Sequence, residues 1–279
     1  MTKNRSQKAK RNRQMEANSA NKRRNSRRAN DDFVHLFGIH AVAAAASNPQ
    51  RPLHKLLATT NAEAKLRQEI QSLGGNPARL DGIIETANPK DIDQHAKGAV
   101  HQGLYLTAGQ LESAAISDLE DAKLVVILDQ ITDPHNVGAI IRSSVALGAD
   151  ALIMTGRHSP EESGIMAKTA SGGLDMITMV TVPNLARALD EIADIGFHTI
   201  GFDSEESAPF EEIMQKTVPD QKLALIFGSE GKGLRRLTRE KCAELARLDM
   251  PGPIKSLNVS NAVAMTLYGC HLRRQSIIS

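Results

Sequence analysis

The 279-residue sequence has no tryptophan, and aromatic residues make up only 3% of it. A chain this poor in flat side chains cannot rely on base stacking to hold nucleic acid, so any such binding has to come mainly from charge. Its two cysteines, Cys242 and Cys270, belong to no paired motif. That excludes a disulfide framework and a cysteine zinc site, and it suits a reducing cytoplasm. No apolar run approaches the ~18–20 residues that cross a bilayer, and the first residues lack the apolar core of a signal peptide. The nine histidines are scattered, and no cluster has metal-ligand spacing. These absences predict a soluble cytoplasmic protein with no membrane partner and no metal.

Charge is present in quantity but unevenly placed. The overall net charge is +2, yet residues 1–30 hold eleven Lys and Arg against the single acid Glu16. The rest of the chain therefore carries 23 basic and 31 acidic side chains, a net of −8. The first 32 residues have almost no large apolar side chain and cannot build a core. They read as a disordered basic arm drawn to the phosphates of RNA or DNA.

From Phe33 the composition is globular. The segment VHLFGIHAVAAAASNP predicts a short strand and an alanine-rich helix that stops before Pro49. LHKLLAT (53–59) reads as a strand, and NAEAKLRQEIQSLGG as a helix with Asn61 as candidate N-cap and Gly74 as its stop. The acidic stretch QLESAAISDLEDAK has no strong period and reads as a connection. The expected organisation is an arm (1–32), a small αβ domain (33–107), a linker (108–121) and a larger domain (122–279).

The larger domain alternates. LVVILDQ (124–130), ALIMT (151–155), MITMVTV (176–182), FHTIGF (197–202) and LALIFG (223–228) are short, continuous apolar runs with amphipathic segments between them. Such runs predict a parallel sheet covered on both faces, with ligands at the carboxyl ends of its strands.

Three segments after predicted strands hold more polar chemistry than packing requires. In LDQITDPHNVGAIIRSS (128–144), Asn136 sits where a helix should begin, a good capping position, and Arg142 follows within a mostly apolar stretch. Six residues at 100° each put the two about 240° apart around the helix, so they need not share a face. LIFGSEGKGL (225–234) has three glycines in six residues, which lets a ligand approach the backbone. It is not a phosphate loop, because Gly233 rather than Ser or Thr follows Lys232, and Glu230 would repel a phosphate. A cationic or hydroxyl-bearing ligand suits it better. Finally, DMPGPIK leads into SLNVSNA, where Ser256 is expected to start a helix whose first turns, with Asn258, Ser260 and Asn261, are polar.

In this order, DPHNVGAIIRS, GSEGKGL and SLNVSNA resemble the three motifs of the SPOUT superfamily, in particular the SpoU/TrmH-type RNA ribose 2′-O-methyltransferases. FGIHAV (37–42) and GAVHQG (98–103) are similar to the L30e-like RNA-binding domain of the members that act on ribosomal RNA. The resemblance implies an α/β parallel-sheet domain with a C-terminal deep trefoil knot, a homodimer, and S-adenosylmethionine as cofactor. It implies that the loops around Gly228, Leu248 and Leu257 line the cofactor pocket. It assigns the 2′-hydroxyl chemistry to Arg142, held with the nucleotide by Asn136 and Glu230, while Ser256 and Asn258 face the ribose and this arginine. The family usually has proline after the position of Leu248, where this chain has Asp249.

The implied activity is methylation of a ribose 2′-hydroxyl in 23S ribosomal RNA, on a guanosine. A transfer-RNA methyltransferase and a non-catalytic ribosome-assembly factor are the alternatives.

Overall fold

A computed structural model describes residues 33–157, 159–203, 207–218 and 220–278. The expected basic arm lies outside the described residues. The chain opens with β1 (Phe33–Phe37), α1 (Ile39–Ser47), β2 (Leu53–Ala58), α2 (Thr60–Ser72), β3 (Ile84–Thr86), α3 (Pro89–Ala96) and β4 (Leu104–Gly109). The strands form one sheet in the order β1-β4-β2-β3, antiparallel except for β2 with β3. Along β1 Phe33 and His35 are exposed while Val34 and Leu36 are buried, the period of two that the pleat imposes. In α2, Ala62, Leu66 and Ile70 recur every four residues and form its buried stripe. The cap of α2 is Thr59 rather than Asn61. Thr59 still has the extended backbone of β2, so its hydroxyl faces the free Ala62 N–H, whereas Asn61 is already inside the first turn.

The rest of the chain supplies β5 (Leu124–Asp129), α4 (Pro134–Ala146), β6 (Ala151–Thr155), α5 (Gly164–Thr169), β7 (Thr178–Val182), α6 (Leu185–Asp194), β8 (Phe197–Phe202), β9 (Ala208–Pro209), α7 (Phe210–Lys216), β10 (Lys222–Gly228), α8 (Arg236–Lys241), β11 (Glu244–Arg247) and α9 (Val259–Ile278). The seven strands pair in parallel in the order β7-β6-β5-β10-β8-β11-β9. Every residue of β5 is buried, as a central strand covered on both faces requires. One face packs on α4, α5 and α9 in a core continuous with that of the small sheet. The other is covered by α6 and by Ile116 and Leu119. Those two residues sit in the expected linker, in a 3-10 turn (Ile116–Leu119) too short to show a period.

Between the two sheets lies a buried ion cluster. The Arg51 guanidinium, from the turn before β2, is fully buried against Glu162 and, at 3.4 Å, Asp175 Oδ1. Asn48 Nδ2 donates to the same Asp175 oxygen at 3.2 Å, and the Leu111 N–H to Glu162 Oε2 at 2.9 Å. Burial pushes the Asp175 carboxyl up to about 6 even with Arg51 pulling it down. Removing one partner from such a cluster costs about 3–5 kcal/mol, because the other charges stay buried. Tight helix packing adds to this attachment on the large-sheet side. A Cβ on Gly138 of α4 would stand 2.7 Å from the Met166 carbonyl of α5, so only glycine lets these helices meet.

Candidate active site

At the carboxyl edge of the large sheet, β10, β8 and β11 end around a cleft of about 590 Å³, within the ~300–1,000 Å³ of small-molecule sites. Its floor includes Phe202 and Phe227, register partners on β8 and β10 whose rings stack at 4.6 Å and 4°. One wall is the loop after β10, with Gly228 and Glu230; the other runs through Leu248 and Asp249 to Ser256 and Leu257. The loop closes on itself: the Gly233 N–H donates to the Ser229 carbonyl at 2.9 Å, and Gly231 and Gly233 have φ of 81° and 62°. A Cβ on Gly228 would come within 2.2 Å of Gly233. Residue 228 therefore has to be glycine if this wall is to form.

A polar cluster adjoins the cleft. Glu230 Oε1 accepts from Asn258 Nδ2 at 2.8 Å, from Asn136 Nδ2 at 3.2 Å and from the Val259 N–H at 3.3 Å. Asn258 Nδ2 also donates to Asn136 Oδ1 at 3.0 Å, and Asn258 Oδ1 accepts from the Ser260 N–H at 2.9 Å. Asn258, rather than Ser256, is thus the N-cap of α9, which starts at Val259. Ser256 lies two residues too early and is exposed, with no hydrogen bond among the described residues.

Nor is Asn136 a cap. Asp133 Oδ1 accepts from the His135 N–H at 2.9 Å, and Pro134, which has no N–H to satisfy, occupies the first helical position. With the cap already filled, the Asn136 amide is free to reach across to Glu230.

Arg142 stands apart from this cluster. It is exposed on α4, lines neither this cleft nor the arginine-lined one described below, and its guanidinium makes no hydrogen bond or ion pair among the described residues. Asn136 and Glu230 bond to each other and to Asn258, not to Arg142.

Several neighbours of the cleft carry no strong sequence signal. Phe202 and Phe227 read only as strand residues, and Asp203, beside them, pairs with Arg239 at 3.4 Å. Asp129, at the end of β5, is buried and accepts from Arg235 Nε at 2.6 Å and Thr238 Oγ1 at 2.7 Å. Burial pushes the thiols of Cys242 and Cys270 up to about 12 and about 11, so neither is a ready nucleophile. Among the described residues no group of His, Cys, Asp and Glu could hold a metal ion, and no helix is long and apolar enough to cross a membrane.

The model of the SpoU rRNA methylase family matches residues 123–268, which include Asn136, Arg142, Glu230, Ser256 and Asn258. The chain belongs to the SpoU rRNA methylase family. A second model, RNA 2'-O ribose methyltransferase substrate binding, matches residues 35–114, the small-sheet region.

Among relatives of this SpoU methylase chain, the 23S rRNA (guanosine-2'-O-)-methyltransferase RlmB of Photobacterium profundum is 33% identical over 247 residues, 86% of this chain and 98% of its own. The SpoU methyltransferase AviRb from Streptomyces viridochromogenes shares the fold with a TM-score of 0.73 at 21% identity, over 90% of this chain and 93% of its own. An AdoMet-bound rRNA methyltransferase from Sinorhizobium meliloti does so at 0.71 and 20%, over 91% and 92%.

Proposed function

We propose that this protein transfers a methyl group from S-adenosylmethionine to the 2′-hydroxyl of a guanosine in 23S ribosomal RNA. The observation that carries the reading is the Asn136–Glu230–Asn258 cluster beside the glycine-walled cleft, built from all three family motifs. The cleft suits the cofactor: Phe202 and Phe227 give a flat apolar floor, and the glycine loop presents backbone. Asp203, Glu230 and Asp249 border it against the cations Arg247 and Lys255, a balance that favours a positively charged guest. Where the family usually has proline, Asp249 Oδ1 accepts from Arg247 Nε at 2.9 Å, and this pair restrains the loop in its place.

When bound, S-adenosylmethionine supplies an electrophilic methyl group on a sulfonium centre. The task of the chain is to bring a weakly acidic ribose hydroxyl into line and to accommodate the charge that develops on its oxygen. Glu230, held by three N–H donors, fixes both asparagines, and the unbonded Ser256 hydroxyl is available to the ribose. A guanidinium keeps its proton at neutral pH and is no general base. The role of Arg142 in this reading is to position an RNA phosphate and stabilise the oxyanion.

A homodimer belongs to the reading. Met265, Tyr268 and Leu272 stand on one face of α9, 53%, 53% and 47% exposed, an apolar stripe of the kind a second copy covers. The apposition of residues 228–233 and 246–257 around one cleft supports a knotted C-terminal segment. In the proposed division, residues 33–107 and the basic arm hold the ribosomal RNA, residues 108–121 link, and residues 122–279 catalyse, in the cytoplasm.

The test is a 2′-O-methyl map of cellular RNA with and without the gene. Loss of one 23S guanosine mark is expected. Loss of a transfer-RNA mark instead would overturn the substrate, and an unchanged map with the protein expressed would overturn the activity.

A further inference from the structure

A second cleft, of about 510 Å³, opens where β5 and β6 end. Arg157, Arg235 and Arg236 line it, with no carboxylate among its described lining residues. Arg235 is clamped from behind. Its main-chain N–H donates to Asp129 Oδ2 at 3.1 Å and its Nε to Asp129 Oδ1 at 2.6 Å, while Thr238 Oγ1 also bonds this buried carboxylate, at 2.7 Å. Neither terminal nitrogen of Arg235 has a hydrogen bond among the described residues, and the side chain is 45% exposed. A guanidinium fixed at Nε presents its remaining fork already oriented, so it loses little freedom when an oxyanion arrives.

Arg157 is exposed, and its guanidinium has no partner among the described residues. Its carbonyl accepts from Thr155 Oγ1 at 2.7 Å, which ties its backbone to the end of β6. Arg236 pairs with Glu240 at 2.7 Å on the helix surface. An exposed pair of this kind is weak, so Arg236 can exchange it for a stronger anion.

We propose that this cleft holds backbone phosphates of the RNA strand beside the nucleotide that is methylated; the proposal rests on the reading of the protein as an RNA methyltransferase. The arginines select phosphate oxygens, and their position selects the strand. Gln130 lines this cleft, the preceding residue Asp129 is in register with Gly228 on β10, and Gly228 lines the cofactor cleft. Adjacent strands lie about 4.8 Å apart, so the two clefts flank one narrow ridge. A single strand crossing it can set a ribose on one side and neighbouring phosphates on the other. These contacts carry no base specificity and fix register alone.

The test uses the full chain, in-vitro transcribed 23S rRNA, and two variants. Arg157→Glu alters an exposed side chain, and Arg235→Lys keeps a cation against Asp129 while removing the fork. Thermal unfolding establishes that both fold, and calorimetric titration with S-adenosylmethionine follows the other cleft. The expected result is an RNA Kd raised about tenfold in each, with S-adenosylmethionine binding unchanged. In Arg157→Glu the slope of log K against log salt should also fall by at least about 0.7–0.9.

Unchanged Kd and slope in Arg157→Glu would overturn the proposal, as would a wild-type chain that does not bind the transcript. Loss of inorganic pyrophosphate binding with RNA binding intact would also overturn it, marking the cleft as a site for a small phosphate. Methyl transfer by the wild-type protein is scored separately. A chain that binds RNA through these arginines without methylating it would sink the proposed activity and keep the phosphate cleft.

Discussion

One cleft at the carboxyl edge of the seven-stranded sheet is bordered by Asp203, Glu230 and Asp249 against Arg247 and Lys255, and its neighbour across the β5–β10 ridge by Arg157, Arg235 and Arg236 with no carboxylate among its described lining residues. In the proposed reaction a positively charged methyl donor meets a polyanionic acceptor, and a single site attractive to both would let each compete for the groups meant for the other. A cleft with an excess of carboxylates on one side of a ridge and a purely cationic one on the other reduce that competition. The buried Asp129 serves the same separation: it pins Arg235 from the inside, and its charge is taken up there instead of facing the acceptor.

The largest effect is expected from a residue that lines neither cleft. Arg142→Ala should lower kcat by about 10²–10³-fold, the usual cost of deleting a donor aimed at developing charge. Thermal stability and S-adenosylmethionine affinity should stay close to wild type, because Arg142 is exposed and unpaired among the described residues. Retained single-turnover methylation would mean that the two clefts alone position the acceptor, and Arg142 would leave the mechanism.

Next come the groups that close the donor side. Asn258→Ala removes the cap of α9 and two bonds to the Asn136–Glu230 pair. It should cost about 1 kcal/mol of stability and at least about tenfold in kcat, since bonds to a carboxylate are worth about 1.5–3 kcal/mol. Stability lost with turnover intact would reduce Asn258 to a cap. Tyr268→Glu, on the apolar stripe of α9, should convert the proposed homodimer to monomer in light scattering, because a carboxylate there would have to be buried unpaired. The salt slope of RNA binding by the arginine cleft should not move. If it did, the two clefts would not be separate.

Much of this arrangement is legible in the sequence, for physical reasons that also mark where legibility stops. Buried parallel strands are continuous apolar runs, so β5, β6, β8 and β10 stand out. β9 and β11, with two and four residues, are too short to show any period. Resemblance places Gly228, Leu248 and Leu257 in one pocket, and the fold brings all three to one cleft. Sequence misplaces the caps at Asn61, Asn136 and Ser256, because the cap is whichever residue still has extended backbone where the helix begins, and propensity does not resolve shifts of two or three residues. The arginine cleft is invisible in the sequence, since Arg157 and Arg235 are 78 positions apart and only the pairing of β5 with both β6 and β10 brings their loops together.

The smallest effect on turnover, and the sharpest test of where RNA affinity resides, is deletion of residues 1–30. That removes a net charge of +10. Because each phosphate neutralised contributes about 0.7–0.9 to the salt slope, the truncated chain should bind 23S rRNA more weakly and with a shallower slope, while kcat at saturating RNA changes less than about twofold. The arm and the arginine cleft then separate by how they combine. An arm that only gathers RNA should lower the slope by the same amount whether or not Arg157 is replaced by Glu, because distant independent sites add. If the deletion instead abolished the effect of Arg157→Glu, the arm would be what delivers the strand to the cleft, and the two would form one continuous phosphate track.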